Sequence, residues 1–287
     1  MNSKLPVRVV MFLLCAIPAL AAAQSATDFA RMVQTEYDFS AAATRTSQRS
    51  AFLEYIAADG VLFRPGPVNA HKVLTESKGE PGLLHWYPEF AEISNRGDLG
   101  LSTGPWIYWG SGQAPAHGRF VSIWRKQSNG DWRAELDGGI GHGAPAAPPA
   151  RLLPTARDAT PSVAAADSAD STAALEKTEL EFARLNTELG FTEALTRMAL
   201  PTVRVYRNDH EPFIGLEAAT AYLSTAPQVG TWRPEVVKSS GNFGYSYGLI
   251  AATGTGTDAK PADAFVHVWK LVDGQWRLLL DLLIPMQ

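Results

Sequence analysis

The sequence predicts an α+β protein built twice over. Two tandem domains, each with helices packed on a curved antiparallel sheet, follow an N-terminal export segment and flank an Ala/Pro-rich linker. Three observations carry this prediction: an internal repeat, the order of helical and strand periodicities within each copy, and a composition shift between the copies. The boundaries are expected at residues 1–26 (export segment), 27–141 (first domain), 142–170 (linker) and 171–287 (second domain).

The export segment reads from its three zones. Lys4 and Arg8 form a positive start, Val9 to Leu20 an apolar run, and Ala21-Ala22-Ala23 a small-residue cleavage region, as a secretory signal requires. Cleavage is expected after Ala23 or Ala26. The apolar run is shorter than the roughly 20 residues that span a bilayer, and Pro18 interrupts it, so stable membrane insertion is not expected. The single cysteine, Cys15, lies in this run behind Leu13-Leu14, where a lipidation signal wants a small residue. Cleavage leaves a chain without thiols, which excludes thiol catalysis, zinc–thiolate and iron–sulfur chemistry from the mature protein. The predicted location is periplasmic or secreted.

The repeat is explicit. Glu36, Phe39, Ala51, Phe63 and Arg64 correspond to Glu179, Phe182, Ala194, Tyr206 and Arg207 at a constant offset of 143. Farther along, Trp86-Tyr87-Pro88-Glu89 corresponds to Trp232-Arg233-Pro234-Glu235, and Trp124, Trp132-Arg133 and Asp137 to Trp269, Trp276-Arg277 and Asp281. The offset drifts by no more than three residues. From His142 to about Asp170 the chain is rich in Ala, Pro, Ser and Asp and too poor in large apolar residues to form a core, so it reads as an extended linker.

Each copy opens with helices and closes with strands. In the second, Leu175, Leu180, Phe182, Leu185 and Leu189 fall at helical spacing, with Ser171 or Thr172 as the cap. A short helix over Ala194 to Met198 stops at Pro201, and Val203 to Tyr206 is a strand. Leu216 to Leu223 is helical, and three long strands follow. Asp273-Gly274 makes the last hairpin, as Asn129-Gly130 does in the first copy. Helices followed by a meander of long strands is an α+β plan.

This order, with the Gly-Asp-Leu-Gly strand start (Gly97–Gly100) and the Trp-Arg-Lys…Gly-Asp-Trp-Arg…Leu-Asp hairpin (Trp124–Asp137), resembles the nuclear transport factor 2-like superfamily. Within it the chain looks similar to SnoaL-like and ketosteroid-isomerase-like domains. The resemblance implies cone-shaped domains that enclose an apolar pocket, and sheet-to-sheet pairing of the two copies as an intramolecular pseudo-dimer. It does not imply one reaction, because that fold hosts isomerases, cyclases, hydrolases and binding modules.

Strand alternation places Trp132, Ala134 and Leu136 on the cone face and Arg133, Glu135 and Asp137 on the outer face, unless a bulge intervenes. By the same parity Trp276, Leu278, Leu280 and Leu282 line the second cone, and Leu279 and Leu283 lie near the contact between copies. Gly100-Leu101-Ser102-Thr103-Gly104 and Gly244-Tyr245-Ser246-Tyr247-Gly248 match the pattern of a nucleophile elbow, but each continues as strand where that elbow needs a helix. The six histidines, His71, His85, His117, His142, His210 and His267, show no paired metal-ligand spacing, so neither a metal nor an organic cofactor is expected.

The aromatic residues suggest a ligand. Tyr37, Tyr55, His85, Trp86, Trp106, Trp124, Tyr206, Trp232, Tyr245 and His267 are the candidate binding residues for a small apolar or aromatic molecule. An acid–base isomerase or cyclase is the alternative, with His117 or Asp137 as base and Tyr108 as electrophilic partner. A pocketless envelope scaffold is the third reading. The 29 acidic against 25 basic residues, a net charge of −4, give no electrostatic footprint for nucleic acid. Association beyond the intramolecular pair is left open.

Overall fold

The helix-then-strand order is realised in each half of the computed structural model, which describes residues 16–79, 81–110, 112, 114–155, 168–251 and 261–286. Lys4, Arg8 and Cys15 of the expected export segment and Pro161 of the expected linker lie outside the described residues. The first domain comprises α1 (Ala16–Arg45), α2 (Gln48–Tyr55), β1 (Ile56–Phe63), β2 (Pro67–Asn69) and α3 (Ala70–Glu76). It continues with β3 (Gly82–Trp86), β4 (Phe90–Ile93), β5 (Leu99–Gly110), β6 (Ala116–Lys126) and β7 (Trp132–His142). The second comprises α4 (Ser168–Leu189), α5 (Phe191–Met198), β8 (Ala199–Tyr206), β9 (Phe213–Ile214) and α6 (Leu216–Leu223), then β10 (Trp232–Ser240), β11 (Phe243–Ala251), β12 (Pro261–Val272) and β13 (Gln275–Pro285).

The first sheet runs β2-β1-β7-β6-β5-β3, with β4 also on β5, and the second runs β10-β11-β12-β13-β8-β9. In each sheet one strand is parallel to its neighbour, β1 to β7 and β8 to β13, because the chain leaves the helices and enters the sheet beside its own last strand. Asp273 (φ 49°) and Gly274 (φ 75°) both take the left-handed conformation of a tight hairpin, whereas in the first copy Gly130 alone does (φ 90°).

Each helical layer covers one face of its sheet. On α1 the inward residues Phe29, Met32, Val33, Glu36, Phe39 and Ala43 repeat every three or four positions. On α4 the inward set is Leu175, Glu179, Phe182 and Leu185, while Leu180 and Leu189 are 52 % and 45 % exposed. A buried glutamate holds the place that the apolar reading gave to Leu180. Ser171 and Thr172 lie inside α4 and bond across to Gly241 and Ser239.

The two opposite sheet faces pack against each other. Leu99, Leu101, Val121, Ile123, Leu136 and Ile140 of the first domain share one buried cluster with Phe243, Tyr245, Val266, Val268, Leu280 and Leu282 of the second. This is the intramolecular pseudo-dimer. Lys238 and Tyr245 reach Glu135, and Ser240 reaches Asp98, at its edge. The chain after β7 stays on the first domain as far as it is described: Leu152 N–H bonds Pro88, and the Tyr37 and Tyr87 hydroxyls bond the carbonyls of Leu152 and Pro149.

A bulge in each last strand reverses the expected parity. Ile123 pairs with Leu136 but Trp124 with Ala134, so Glu135 is the extra residue. Trp132 and Ala134 face the helices, Leu136 faces the other sheet, and Asp137 turns inward. Leu279 is the extra residue in β13, between the Val268–Leu280 and Trp269–Leu278 pairs. Consequently Leu280 and Leu282 lie in the sheet-to-sheet cluster and Leu283 packs inside its own domain. Of the two leucines expected at the contact, only Leu279 is there.

Candidate functional site

The inward turn at Glu135 places Asp137 in the wall of a cavity of about 370 Å³ inside the first domain. α2 contributes Gln48 and Phe52, β3 Leu84 and Trp86, β5 Trp106 and Tyr108, and β6 Ala116 and Phe120. β7 supplies Asp137 and its glycines, and Ile284 crosses from the second domain. Arg64, exposed, stands at the rim. Six aromatic side chains, Phe63 among them, and several aliphatic ones around one carboxyl make a surface suited to a flat apolar molecule with one polar atom.

Asp137 accepts a hydrogen bond from Ser122 at 2.8 Å. Burial pushes its carboxyl up to about 7. The Ser122 bond opposes this rise, the nearby Glu36 carboxyl adds to it, and the Arg64 charge opposes it. Behind it Glu36, fully buried on α1, receives Trp86 Nε1 at 2.6 Å, Trp124 Nε1 at 2.9 Å and the Ser102 hydroxyl. Burial raises Glu36 above the usual carboxylate range against the opposing pull of these hydrogen bonds, and among the described residues no cation is paired with it.

The second domain keeps this framework and neutralises it differently. Glu179 takes the place of Glu36, bonded by Ser246, Trp269 and, at 3.4 Å, Trp232. Ser122 is replaced by His267, whose Nδ1 lies 3.0 Å from Glu179 and Nε2 3.5 Å from Asp281. Arg207 pairs with Asp281 at 2.6 Å. Burial alone would lower His267, but Glu179 and Asp281 raise it to about 9. Burial likewise opposes the charge on Glu179 and Asp281, yet His267 holds the first, and Arg207 with His267 the second, below their ordinary values. Asp137 is therefore a carboxyl facing a cavity, and Asp281, 1 % exposed, a closed ion pair.

The structure brings together some of the residues singled out in the sequence and separates others. Asp137, Tyr108, Trp86 and Trp106 line the cavity. His117 does not, because on β6 it alternates with Ala116, Phe120 and Ser122 and so shares the opposite face with Val121 and Ile123. Tyr108 lends its ring, but its hydroxyl hydrogen is committed to the Pro81 carbonyl at 2.9 Å. The trio named for acid–base chemistry thus reduces to Asp137.

Trp124 and Trp232 are core residues bonded to the buried glutamates. Tyr206 and Tyr245 lie at the sheet-to-sheet contact, bonded to Thr103 and Glu135. His267 is closed inside the second domain's ion network, and Tyr37 is tied to Leu152. Tyr55 stacks on Phe39 and borders a separate polar groove with Trp132 and Arg133. His85 alternates with Leu84 and Trp86 on β3 and faces away from the cavity; burial lowers its imidazole.

Glu36, Ser122 and Arg64 escaped the sequence reading as functional residues. Glu36 carried a signal, as a charge preserved in both copies on an otherwise apolar helix face. Ser102 and Ser246, central to the two elbow-like patterns, are buried mid-strand and donate to Glu36 and Glu179. Among the described residues, no group of three or more His, Cys, Asp or Glu is placed to hold a metal ion, and no helix is long and apolar enough to cross a membrane.

No protein-family model and no curated protein matches the chain. Among solved structures it is similar to an NTF-2-like protein of unknown function from Shewanella oneidensis, at 18 % identity over 38 % of this chain and 95 % of that one, with a TM-score of 0.32. A second is an NTF2-like superfamily protein from Salmonella enterica serovar Typhimurium, at 13 % identity over 42 % and 94 %, with a TM-score of 0.34. A third is a ketosteroid isomerase-like protein from Erwinia carotovora, at 14 % identity over 41 % and 98 %, with a TM-score of 0.32.

Proposed function

We propose that this is an exported, periplasmic or secreted protein whose first domain binds a small apolar or aromatic molecule in the Asp137 cavity, with the second domain as its structural partner. The observation that carries the reading is the contrast between the repeats: Asp137 faces an aromatic cavity with no ion-pair partner among the described residues, whereas Asp281 is sealed by Arg207 and His267. Asp137 supplies the polar contact and the aromatic wall supplies affinity.

The titration of Asp137 near 7 favours a second use of the same site, as a general base or acid in an isomerisation or cyclisation. A carboxyl that exchanges its proton near neutrality is matched to that task. The two uses separate on one variant. Native mass spectrometry of protein purified from its own host's envelope identifies what is bound, and Asp137→Asn is then tested against that molecule. A carrier loses affinity by up to about tenfold, the worth of one hydrogen bond. An enzyme retains most affinity but loses about 10²–10⁴-fold in rate. Protein that binds no small molecule, and Asp137→Asn that changes nothing, would leave the envelope-scaffold reading. N-terminal sequencing of the exported chain tests cleavage after Ala23 or Ala26.

A further inference from the structure

Arg64 and Gln48 bring hydrogen-bond donors to the cavity that the protein itself leaves largely unused. Arg64 follows β1, and among the described residues its side chain makes a single hydrogen bond, from Nη1 to the Phe63 carbonyl at 3.3 Å. Among the described residues no carboxylate lies within 4.0 Å of its guanidinium. Its repeat counterpart Arg207 donates in the same way to the Tyr206 carbonyl, but its Nη2 closes on Asp281 at 2.6 Å. In the first domain that contact is missing, since Asp137 is held by Ser122 and Arg64 turns to the rim. Gln48, half-buried on the lining, makes no side-chain hydrogen bond among the described residues. The Tyr108 hydroxyl hydrogen is already committed to Pro81, so among the described residues Arg64, Gln48 and the Trp106 indole N–H are the lining groups with free donors, and Arg64 alone of these is charged.

We infer that the cavity selects an anionic ligand: an apolar or aromatic body carrying a carboxylate or sulfonate, with the anion on Arg64 and Gln48 and the body against Trp86, Trp106 and Phe120. This rests on the reading of the cavity as a binding site and names the class of molecule it takes. A guanidinium offers an oxyanion two parallel N–H groups, a geometry that a neutral ligand cannot use. The aromatic wall accepts the remainder, and Asp137 in the same lining is compatible with an anion in its protonated, neutral form, which burial favours.

The test is a fluorescence titration of the whole mature protein with two dyes of nearly the same apolar shape, anionic anilinonaphthalenesulfonate and neutral phenylnaphthylamine. The expected result is about tenfold tighter binding of the anionic dye. Arg64→Gln removes most of that preference by weakening the anionic dye far more than the neutral one, and Arg64→Lys restores part of it. Equal affinities in the unaltered protein, or an Arg64→Gln effect equal for both dyes, overturn the inference while the cavity reading stands. Ala116→Trp, which adds bulk at an exposed rim position, separates the two failures. If neither dye binds, or if Ala116→Trp with unchanged circular dichroism weakens neither, binding in the cavity is itself refuted and the inference falls with it.

Discussion

One difference between the repeats decides the character of each domain: Ser122 stands where the second domain has His267. The imidazole carries a positive charge between two buried carboxylates and fills space, whereas the hydroxyl does neither, so burial lifts both Asp137 and Glu36 above the usual carboxylate range and a cavity remains. Ser122→His should therefore convert the first site toward the second. The expected outcome is at least about tenfold weaker dye binding and a carboxyl at Asp137 that no longer titrates near 7, followed by carbon-detected NMR. The Asp137 shift also sets a pH dependence. A carboxyl raised from its ordinary value near 3.8 to about 7 binds its proton more tightly in the folded chain. Its contribution is fully present below about pH 4 and is lost as pH rises through about 7, with a ceiling of roughly 4 kcal/mol. Asp137→Asn should abolish that decline and leave the variant more stable than the parent at pH 8; urea titrations at pH 4, 6 and 8 would reveal it. A parent and variant with parallel pH profiles would mean that Asp137 is ionised throughout.

At the scale of single elements, the two bulges do what periodicity could not show. Helix positions were legible because apolar residues recur every three to four positions on α1 and α4, and strand positions because β6 and β12 are apolar runs, buried on both faces, with a tight turn after each. A bulge adds one residue without a compositional mark, and nothing in Ala-Glu-Leu-Asp distinguishes Glu135 from an ordinary outward residue. Its effect is large, since every later side chain changes face and Asp137 enters the cavity. What holds the bulge is visible only in three dimensions: Arg125 at 2.7 Å, Lys238 at 3.3 Å and the Tyr245 hydroxyl at 2.9 Å converge on the Glu135 carboxylate. Together they keep it ionised despite its burial. Glu135→Ala should leave a partly buried guanidinium and a buried phenol without their acceptor, at a cost of about 3 kcal/mol. Glu135→Gln should recover part of that in the same chemical denaturation series. If Glu135→Ala is neutral, the bulge is held by the ladder alone.

The whole molecule is a repeat in which one copy supports the other, and the repeat made this arrangement legible before the side chains did. Matching Trp, Gly and Asp positions imply two equivalent sheets, and surplus leucines in β13 imply that a sheet face is covered. The asymmetry was harder to read, because it depends on volume and charge at paired positions: Ser122 against His267, and Gly139 against Leu283. Leu283 packs inside the second domain, while Gly139 lines the cavity of the first. Ile284, the next residue, crosses the contact to complete that cavity, so the closed domain contributes directly to the open one. Residues 27–155, which keep the tail bonded to Tyr37 and Tyr87, should therefore not behave as an independent monomer. Their sheet would expose Leu99, Leu101, Val121, Ile123, Leu136 and Ile140, a core-like face that the second domain buries. Sedimentation velocity should show self-association, with weaker dye binding than in the intact protein because Ile284 is gone. A stable monomer with undiminished binding would show that the second domain is a neighbour rather than part of the site.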